Sequence, residues 1–279
     1  MAVGDDVDAL VAAGCDLSDA GRHEDAEALF RKAVDLGQDW VWFNVGNELR
    51  AQGRSSDAVE AYGSALDAGE TDAWLNLGAC LEELGDLVAA MDAYRRAGAS
   101  GDPAGDVQLA HLLREHDERE KAVAVLTAAS RHGNDLAAAV LTCWEWDQTL
   151  DPALEPRLRA GAEHHGSARA GLADLLRSTG RPDEARIELE RGAVAGQSDC
   201  WLPLGNLLAD HARDHLAAEA AYRAGIEAGD SNCHHNLAVL LLVDDRTEEA
   251  LEHLRAGTEA GDALAARTLR ELLGGTDDG

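Results

Sequence analysis

The chain is 279 residues long, room for two ordinary domains or one extended array, and is 46% hydrophobic but only 4% aromatic. Ala and Leu must therefore fill most of the core, which suits closely packed helices. Its 53 acidic residues against 24 basic ones give a net charge of −29 with no basic cluster, which argues against nucleic acid or an anionic membrane as a direct partner.

The first ten residues, MAVGDDVDAL, carry neither a basic start nor a long apolar run, so no signal peptide is expected. No stretch approaches the ~18 apolar residues of a membrane span. From there a small residue recurs at Gly14, Gly46, Gly78, Ala110, Thr142, Ala173, Gly205 and Ala238, in steps of 32, 32, 32, 32, 31, 32 and 33. An Ala follows twelve places later at Ala26, Ala58, Ala90, Ala122, Ala185 and Ala250. Ala218 joins the series if one residue is inserted in the preceding turn, and Leu154 replaces Ala in the fifth copy. Within one copy Trp74, Leu77, Gly78 and Leu81 share one face of a first helix. Ala90, Tyr94 and Ala97 share a face of a second. Gly21, Gly53, Gly85 and Gly180 mark the turns between them. Gly37, Gly69, Gly101, Gly133, Gly196, Gly229 and Gly261 end the second helices. Asp102 is placed as an N-cap with Pro103 as the first helical residue, and Pro182 starts another helix. Gly78 and Ala90 are expected to let the two helices approach, with Trp74 and Tyr94 filling the remaining space.

Copies one to four (1–134) are regular. The fifth (135–166) contains Trp144, Trp146, Pro152 and Pro156, so its second helix is expected to start late, near Pro156, and to be short. It is a candidate hinge. Copies six to eight occupy 167–262, residues 263–273 form a capping helix, and 274–279 a disordered tail. Near the end of the second helices the first four copies have Ala33, Ala65, Ala97 and Ala129, whereas the last four have Gly161, Gly192, Gly225 and Gly257. Gly is the weaker helix former by ~1 kcal/mol, so the C-terminal half is expected to be the less stable.

The pattern Trp74-x2-Leu77-Gly78-x2-Leu81…Ala90-x3-Tyr94 resembles the tetratricopeptide repeat. Copies beginning at Trp42 and Trp201 resemble it nearly as well, and the Ala-Gly-Asp boundary looks like the related Sel-type repeats. The period is shorter than that family's, and Gly stands near its usual Pro. The resemblance implies an all-α, right-handed α-solenoid, a single superhelix over 1–273, whose first helices line a concave groove. It implies that residues two before and one after the small site face the groove. Those positions hold Asn44, Asn76, Gln108 and Asn236, and Asn47, His111 and Asn206. A row of groups that both donate and accept can hold the backbone of an extended segment; the alternatives are plain solvated helix surface or bonding to the next repeat. Some relatives grip acidic chaperone tails through Lys and Arg, but this chain has only Lys32 and Lys121. A neutral or basic segment is favoured.

Trp144 and Trp146, beside the irregular turn, are either core or an aromatic anchor for a partner. His211 and His215 are four apart, and no third ligand converges on them, so no metal or other cofactor is expected. The five cysteines (15, 80, 143, 200 and 233) form no CxxC and read as small buried thiols of a reducing, cytoplasmic protein. No nucleophile motif or phosphate loop occurs. The expected function is a scaffold or adaptor that binds a protein or peptide and is not an enzyme. The alternative is an acidic regulator that sequesters a basic partner electrostatically.

Overall fold

Glycine punctuation fixes the helix lengths. In the computed structural model, which describes residues 3–274, seventeen α-helices and no strand occur among the described residues. None of those helices is long and apolar enough to cross a membrane. The chain divides into two compact units, Met1–Ala137 and Ala138–Gly279. The first contains α1 (Val3–Asp19), α2 (His23–Asp35), α3 (Trp42–Ala51), α4 (Ser55–Asp67), α5 (Ala73–Glu83), α6 (Leu87–Ser100), α7 (Pro103–Glu115) and α8 (Arg119–Arg131). The division falls within α9 (Asp135–Thr149). The second unit continues with α10 (Glu155–Ala162), α11 (Gly166–Ser178), α12 (Pro182–Val194), α13 (Trp201–Leu207), α14 (His215–Glu227), α15 (Asn232–Val243), α16 (Thr247–Glu259) and α17 (Ala263–Leu272). Odd-numbered helices from α1 to α9 are first helices, joined by α11, α13 and α15. Within each unit a helix packs mainly on its sequence neighbours, as expected where each hairpin buries its apolar face against the next.

The local expectations at the ends hold. Asp102 caps α7 through the Ala104 amide, with Pro103 at the start. Pro182 opens α12. Pro152 starts only a 3-10 turn, and α10 begins at Glu155 with Pro156 in its first turn. Four hairpin turns use the anticipated left-handed Gly; the other four place Asp117, Leu150, Arg213 and Asp245 at φ 61°, 48°, 53° and 59°. A side chain there is strained. The residue inserted in the seventh copy forms a five-residue π-helical turn, Leu208–Ala212, that ends on Arg213. Residues 275–279 of the expected tail lie outside the described residues.

The small site is a socket for one side chain of the same hairpin. A Cβ on Gly14 would lie 2.6 Å from the Phe30 ring, on Gly46 2.5 Å from Tyr62, and on Gly78 2.6 Å from Tyr94; on Gly205 it would strike Tyr222. The other four copies have Ala110, Thr142, Ala173 and Ala238 at this site, and Leu126, Leu158, Leu189 and Leu254 at the aromatic's place, all buried. Socket and knob thus exchange volume, as dense packing demands. In α17 Arg270 stands at the next socket register, and its Nε donates to the Ala266 carbonyl.

A second contact lies between repeats. Gly192 packs under the Cys200 thiol and the Arg169 stem, and Gly225 under the Cys233 thiol. These glycines are sites of close approach as well as weak helix formers. Ala97 meets Gly105 in the same way in the first unit, so the small residue changes sides between copies. Cys80, Cys143, Cys200 and Cys233 are buried as expected, but Cys15 is exposed.

Second helices are tied by an ion-pair ladder. Arg54 reaches Asp57 in its own helix and Glu27 in the preceding repeat; Arg181 reaches Glu184 and Glu155, and Arg246 reaches Glu249 and Glu219. Each Arg stands four before the repeat Ala, and each cross-repeat Glu stands one after the repeat Ala or its Leu154 replacement. Part of the acidic excess is therefore structural.

Candidate functional site

The carboxamides of the first helices separate into two groups. Asn47 Oδ1 accepts from Tyr62 Oη at 2.7 Å and from Asn76 Nδ2 at 3.0 Å. Asn206 Oδ1 accepts from Tyr222 Oη at 2.7 Å and from Asn236 Nδ2 at 2.6 Å. This is the same three-residue clamp built twice, and it joins consecutive repeats. It needs a Tyr knob and an Asn just after the socket. Asn44 and Gln108 follow repeats with Cys15 and Ala79 at that place, so they lack an amide acceptor there. Among the described residues they make no hydrogen bond. His111 is half-buried on α7.

Trp144 and Trp146 correct the reading of an aromatic anchor. They are 5% and 3% exposed, and Trp146 packs with Leu154, Leu158 and Leu172 in the core. An anchor for a partner must be reachable, and these rings are not. Burial also pushes the thiols of Cys80 and Cys200 up to about 11, and those of Cys143 and Cys233 up to about 12. Such thiols stay protonated and serve as packing.

The charges on this face of the first unit are largely engaged. Tyr94 donates to Glu82 at 2.7 Å. Arg50 donates to Glu83 at 3.0 and 2.9 Å, and Ser55 Oγ at 2.6 Å. The Ser55 bond, against the cost of burial and with help from Arg50, holds the Glu83 carboxyl below the usual range. The recess lined by Asn47, Ala51 and Tyr62 is therefore spanned by the Arg50–Glu83 pair.

The same register in the second unit is open. Ala209 stands at the place of Arg50 and Val243 at that of Glu83, and the ion pair is gone. A cleft of about 390 Å³ remains between α13 and α15, with Tyr222, Val239, Leu240 and Val243 in its lining. Val239 and Val243 are 42% and 66% exposed. A neighbouring cleft of about 470 Å³ lies between α11 and α13 and reaches down to Ala185 and Leu189 of α12. It is deep because the knob here is Leu189 and the first-helix residues above it are Ala170 and Ala173. Pro203 replaces the amide of the clamp. Asn206 and Asp210 line both clefts. Asp210 and His211 belong to the π-helical turn, a kind of irregularity that often marks functional sites. Asp174 is taken by Arg177 at 2.7 Å and His215 by Asp244 at 2.8 Å, whereas Asp210 makes no ion pair or hydrogen bond among the described residues. No group of three or more His, Cys, Asp or Glu among the described residues is placed to hold a metal ion.

Sequence reasoning singled out Asn206 and Asn236 but missed Asp210, Val239 and Val243. The signal was available: two valines one helical turn apart stand where the other copies carry mostly polar residues.

Residues 44–103 match the family model of the tetratricopeptide repeat. Solved structures with a similar fold include a tetratricopeptide repeat protein from Parabacteroides merdae, 16% identical over 88% of this chain and 98% of that one, with a TM-score of 0.52. A Sel1 repeat protein from Oxalobacter formigenes is 20% identical over 77% of this chain and 99% of that one, with a TM-score of 0.55. In the APC/C hetero-tetramer Cut9–Hcn1, 95% of this chain aligns with 55% of that one at 17% identity, with a TM-score of 0.58. No curated protein sequence matches the chain. The fold is therefore an all-α repeat solenoid similar to those of tetratricopeptide and Sel1 repeat proteins.

Proposed function

We propose that the chain is a protein–protein interaction scaffold that holds a polypeptide segment against its first helices, with the clefts beside α13 as the holding site. The observation that supports this reading is the exchange of the Arg50–Glu83 pair for Ala209 and Val243 at the same register. It exposes apolar surface that a merely solvated face has no reason to carry. The free Asp210 carboxylate and the net charge of −29 favour a neutral or basic segment. Asn44 and Gln108, whose amides are free, form a secondary contact row in the first unit. The buried free thiols fit a reducing, cytoplasmic setting, and the reading assigns the chain no chemistry of its own.

The test is to pan a random twelve-residue peptide library on the full chain and to measure the selected peptides by fluorescence anisotropy. Ala209→Arg with Val243→Glu rebuilds the ion pair of the first unit over the second cleft. It is expected to abolish binding without changing the melting temperature. Binding that ignores this double variant but is lost in Asn44→Ala with Gln108→Ala would move the site to the first unit. Binding that disappears with salt and ignores both double variants would favour electrostatic sequestration instead.

A further inference from the structure

A hollow of about 620 Å³ in the first unit is lined by the second helices α6 and α8 and by α7. The register explains why it opens there. The residue four before the socket reaches the second helices on either side of it. The Arg31 guanidinium of the preceding second helix lies 5.7 Å from the Trp42 ring, and Arg96 of its own second helix lies 4.8 Å from the Trp74 ring. Arg169 bonds both sides, the Ala162 carbonyl of α10 and Glu188 of α12. Trp201 and His234 stand at the same register, and Ala138 takes it ahead of the short α10. In α7 the place belongs to Asp106.

The preceding second helix recedes at the same spot. Eight places after the repeat Ala, other copies carry Val34, Leu66 and Ile226, whereas α6 carries Gly98. A Cβ on Gly98 would lie 2.6 Å from Asp106 Oδ1. A carboxylate thus stands where two large side chains are missing. Leu109 and Val125 supply apolar lining, and most polar lining groups are engaged. Asp102 caps Ala104, Asn134 bonds the Pro103 carbonyl and the Ala137 amide, and His132 Nδ1 meets the Ala128 carbonyl at 2.7 Å. Arg95 pairs with Asp92 at 3.5 Å. Asp106 is half-buried and makes no hydrogen bond or ion pair among the described residues.

We infer that this hollow receives an arginine side chain of a partner polypeptide. The aliphatic stem lies on Leu109 and Val125, and the guanidinium forks onto the Asp106 carboxylate. Arg suits the place better than Lys, because its planar head meets a carboxylate through two bonds and is more weakly hydrated. A purely apolar side chain would desolvate the carboxylate and leave it unpaired. Arg169 shows that the array accommodates arginine at this register: it is 3% exposed, with its stem against Gly192 and its head on Glu188. A free amino acid fits less well, since Asp106 is the single charged lining group left over for its two charged ends. The hollow involves the second helices, so it is a site apart from the clefts beside α13.

The probe is Nα-acetyl-arginine amide, an arginine side chain with both ends capped, titrated at millimolar concentration into the full chain and read from the methyl NMR signals of Leu109 and Val125. Saturable shifts are expected at both. The citrulline counterpart, of the same shape but neutral, should bind about tenfold more weakly, because bonds between charged groups are the stronger ones. Asp106→Asn should remove that preference. Asp106→Trp installs the residue of Trp42 and Trp74, so it should abolish binding while the melting temperature holds. If that variant fails to fold, Asp106→Asn and the citrulline comparison still decide. Ala209→Arg with Val243→Glu should leave binding of the probe unchanged, which keeps this test separate from that of the clefts. Absence of saturable shifts overturns the inference, as does equal binding of the arginine and citrulline probes. Tighter binding of free arginine than of the capped form overturns the assignment to a polypeptide. Binding that appears only in Arg95→Ala would show that Arg95 closes the hollow from within, and overturns it as well.

Discussion

The two units share one hairpin but close it differently. In Met1–Ala137 the sockets of the first three hairpins hold Phe30, Tyr62 and Tyr94, and the first-helix face between them is spanned by a clamp and an ion pair. In Ala138–Gly279 only Tyr222 is an aromatic knob, the turns are less regular, and two clefts open. The comparison teaches that openness here is made by subtraction. A smaller knob, a missing ion pair and one inserted residue expose apolar surface that the same register elsewhere conceals. The second unit compensates with polar contacts inside. Arg169 is 3% exposed and donates to Gln197 Oε1 at 2.7 Å, Glu188 Oε2 at 2.8 Å and the Ala162 carbonyl at 2.7 Å.

The largest expected effect is at that residue. Removing one partner from a buried charged network costs about 3–5 kcal/mol. Arg169→Ala should therefore lower the denaturant midpoint of the second unit by the corresponding amount, followed by chemical unfolding. A loss below about 1 kcal/mol would show that Arg169 is not what holds the irregular repeats together.

Next is the socket. Gly78→Ala places a methyl against the Tyr94 ring, and overpacking of this kind costs about 1–3 kcal/mol. Tyr94→Leu costs a comparable amount by leaving the socket underfilled. Their combination recreates the Ala–Leu pair that three other copies use, so the double variant should cost less than the sum by about 1 kcal/mol or more. The cycle on Gly205 and Tyr222 tests the same rule in the second unit. Additive losses would mean that the exchange of volumes across the eight copies is coincidental.

The glycines and turns sharpen the stability contrast. By helix propensity alone Gly192→Ala should stabilise by ~1 kcal/mol, yet a Cβ there meets the Cys200 thiol and the Arg169 stem. The expected result is a net loss of about 1 kcal/mol or more, read from thermal unfolding. Leu150→Gly should do the reverse. Leu150 sits at φ 48° with its side chain exposed, and relief of the left-handed strain should add about 0.5–1 kcal/mol. Three of the four strained turns, Leu150, Arg213 and Asp245, belong to the second unit. Together with its glycines they support the proposal that its amides exchange before those of the first. Earlier exchange in Met1–Ala137 would break that contrast.

Much of this fold was legible because its signals are local. Helix period, turn Gly, Asp102-Pro103 and Pro156 each act within a few residues, and each landed where local chemistry put it. The site was less legible because it depends on pairs one repeat apart. Asn47 and Asn76 look like two groove residues until Tyr62 is counted with them. The recurrence of the same trio as Asn206, Tyr222 and Asn236, at nearly the same spacing, was a signal that a residue-by-residue reading passes over. Trp144 and Trp146 drew notice by their rarity, but rarity does not tell a buried ring from an exposed one. Asp210 and Val243 were hidden for another reason: their meaning lies in what they replace.

The smallest effect concerns acid, and it separates the units by the number of ladder glutamates. Hydrogen bonding by Arg246, against the cost of burial and with help from Arg223, holds the Glu219 carboxyl down at about 2. Bonds from Arg181 and Arg159 lower Glu155. In the first unit burial pushes Glu27 up, but bonds from Arg31 and Gln52 outweigh it and the net shift is downward. A carboxyl depressed in the folded state contributes stability that is fully present above its unfolded value of ~4.3. That stability is lost as pH falls through the folded value. Both units should therefore weaken between roughly pH 4.3 and pH 2, and the second, with Glu155 and Glu219, should weaken more. Glu219→Gln with Arg246→Gln removes one rung entirely, so its melting temperature should fall less between pH 5 and pH 2.5 than that of the parent. Parallel acid profiles for the two chains would remove the ladder as the source of the acid response and leave only the general repulsion of a highly charged protein.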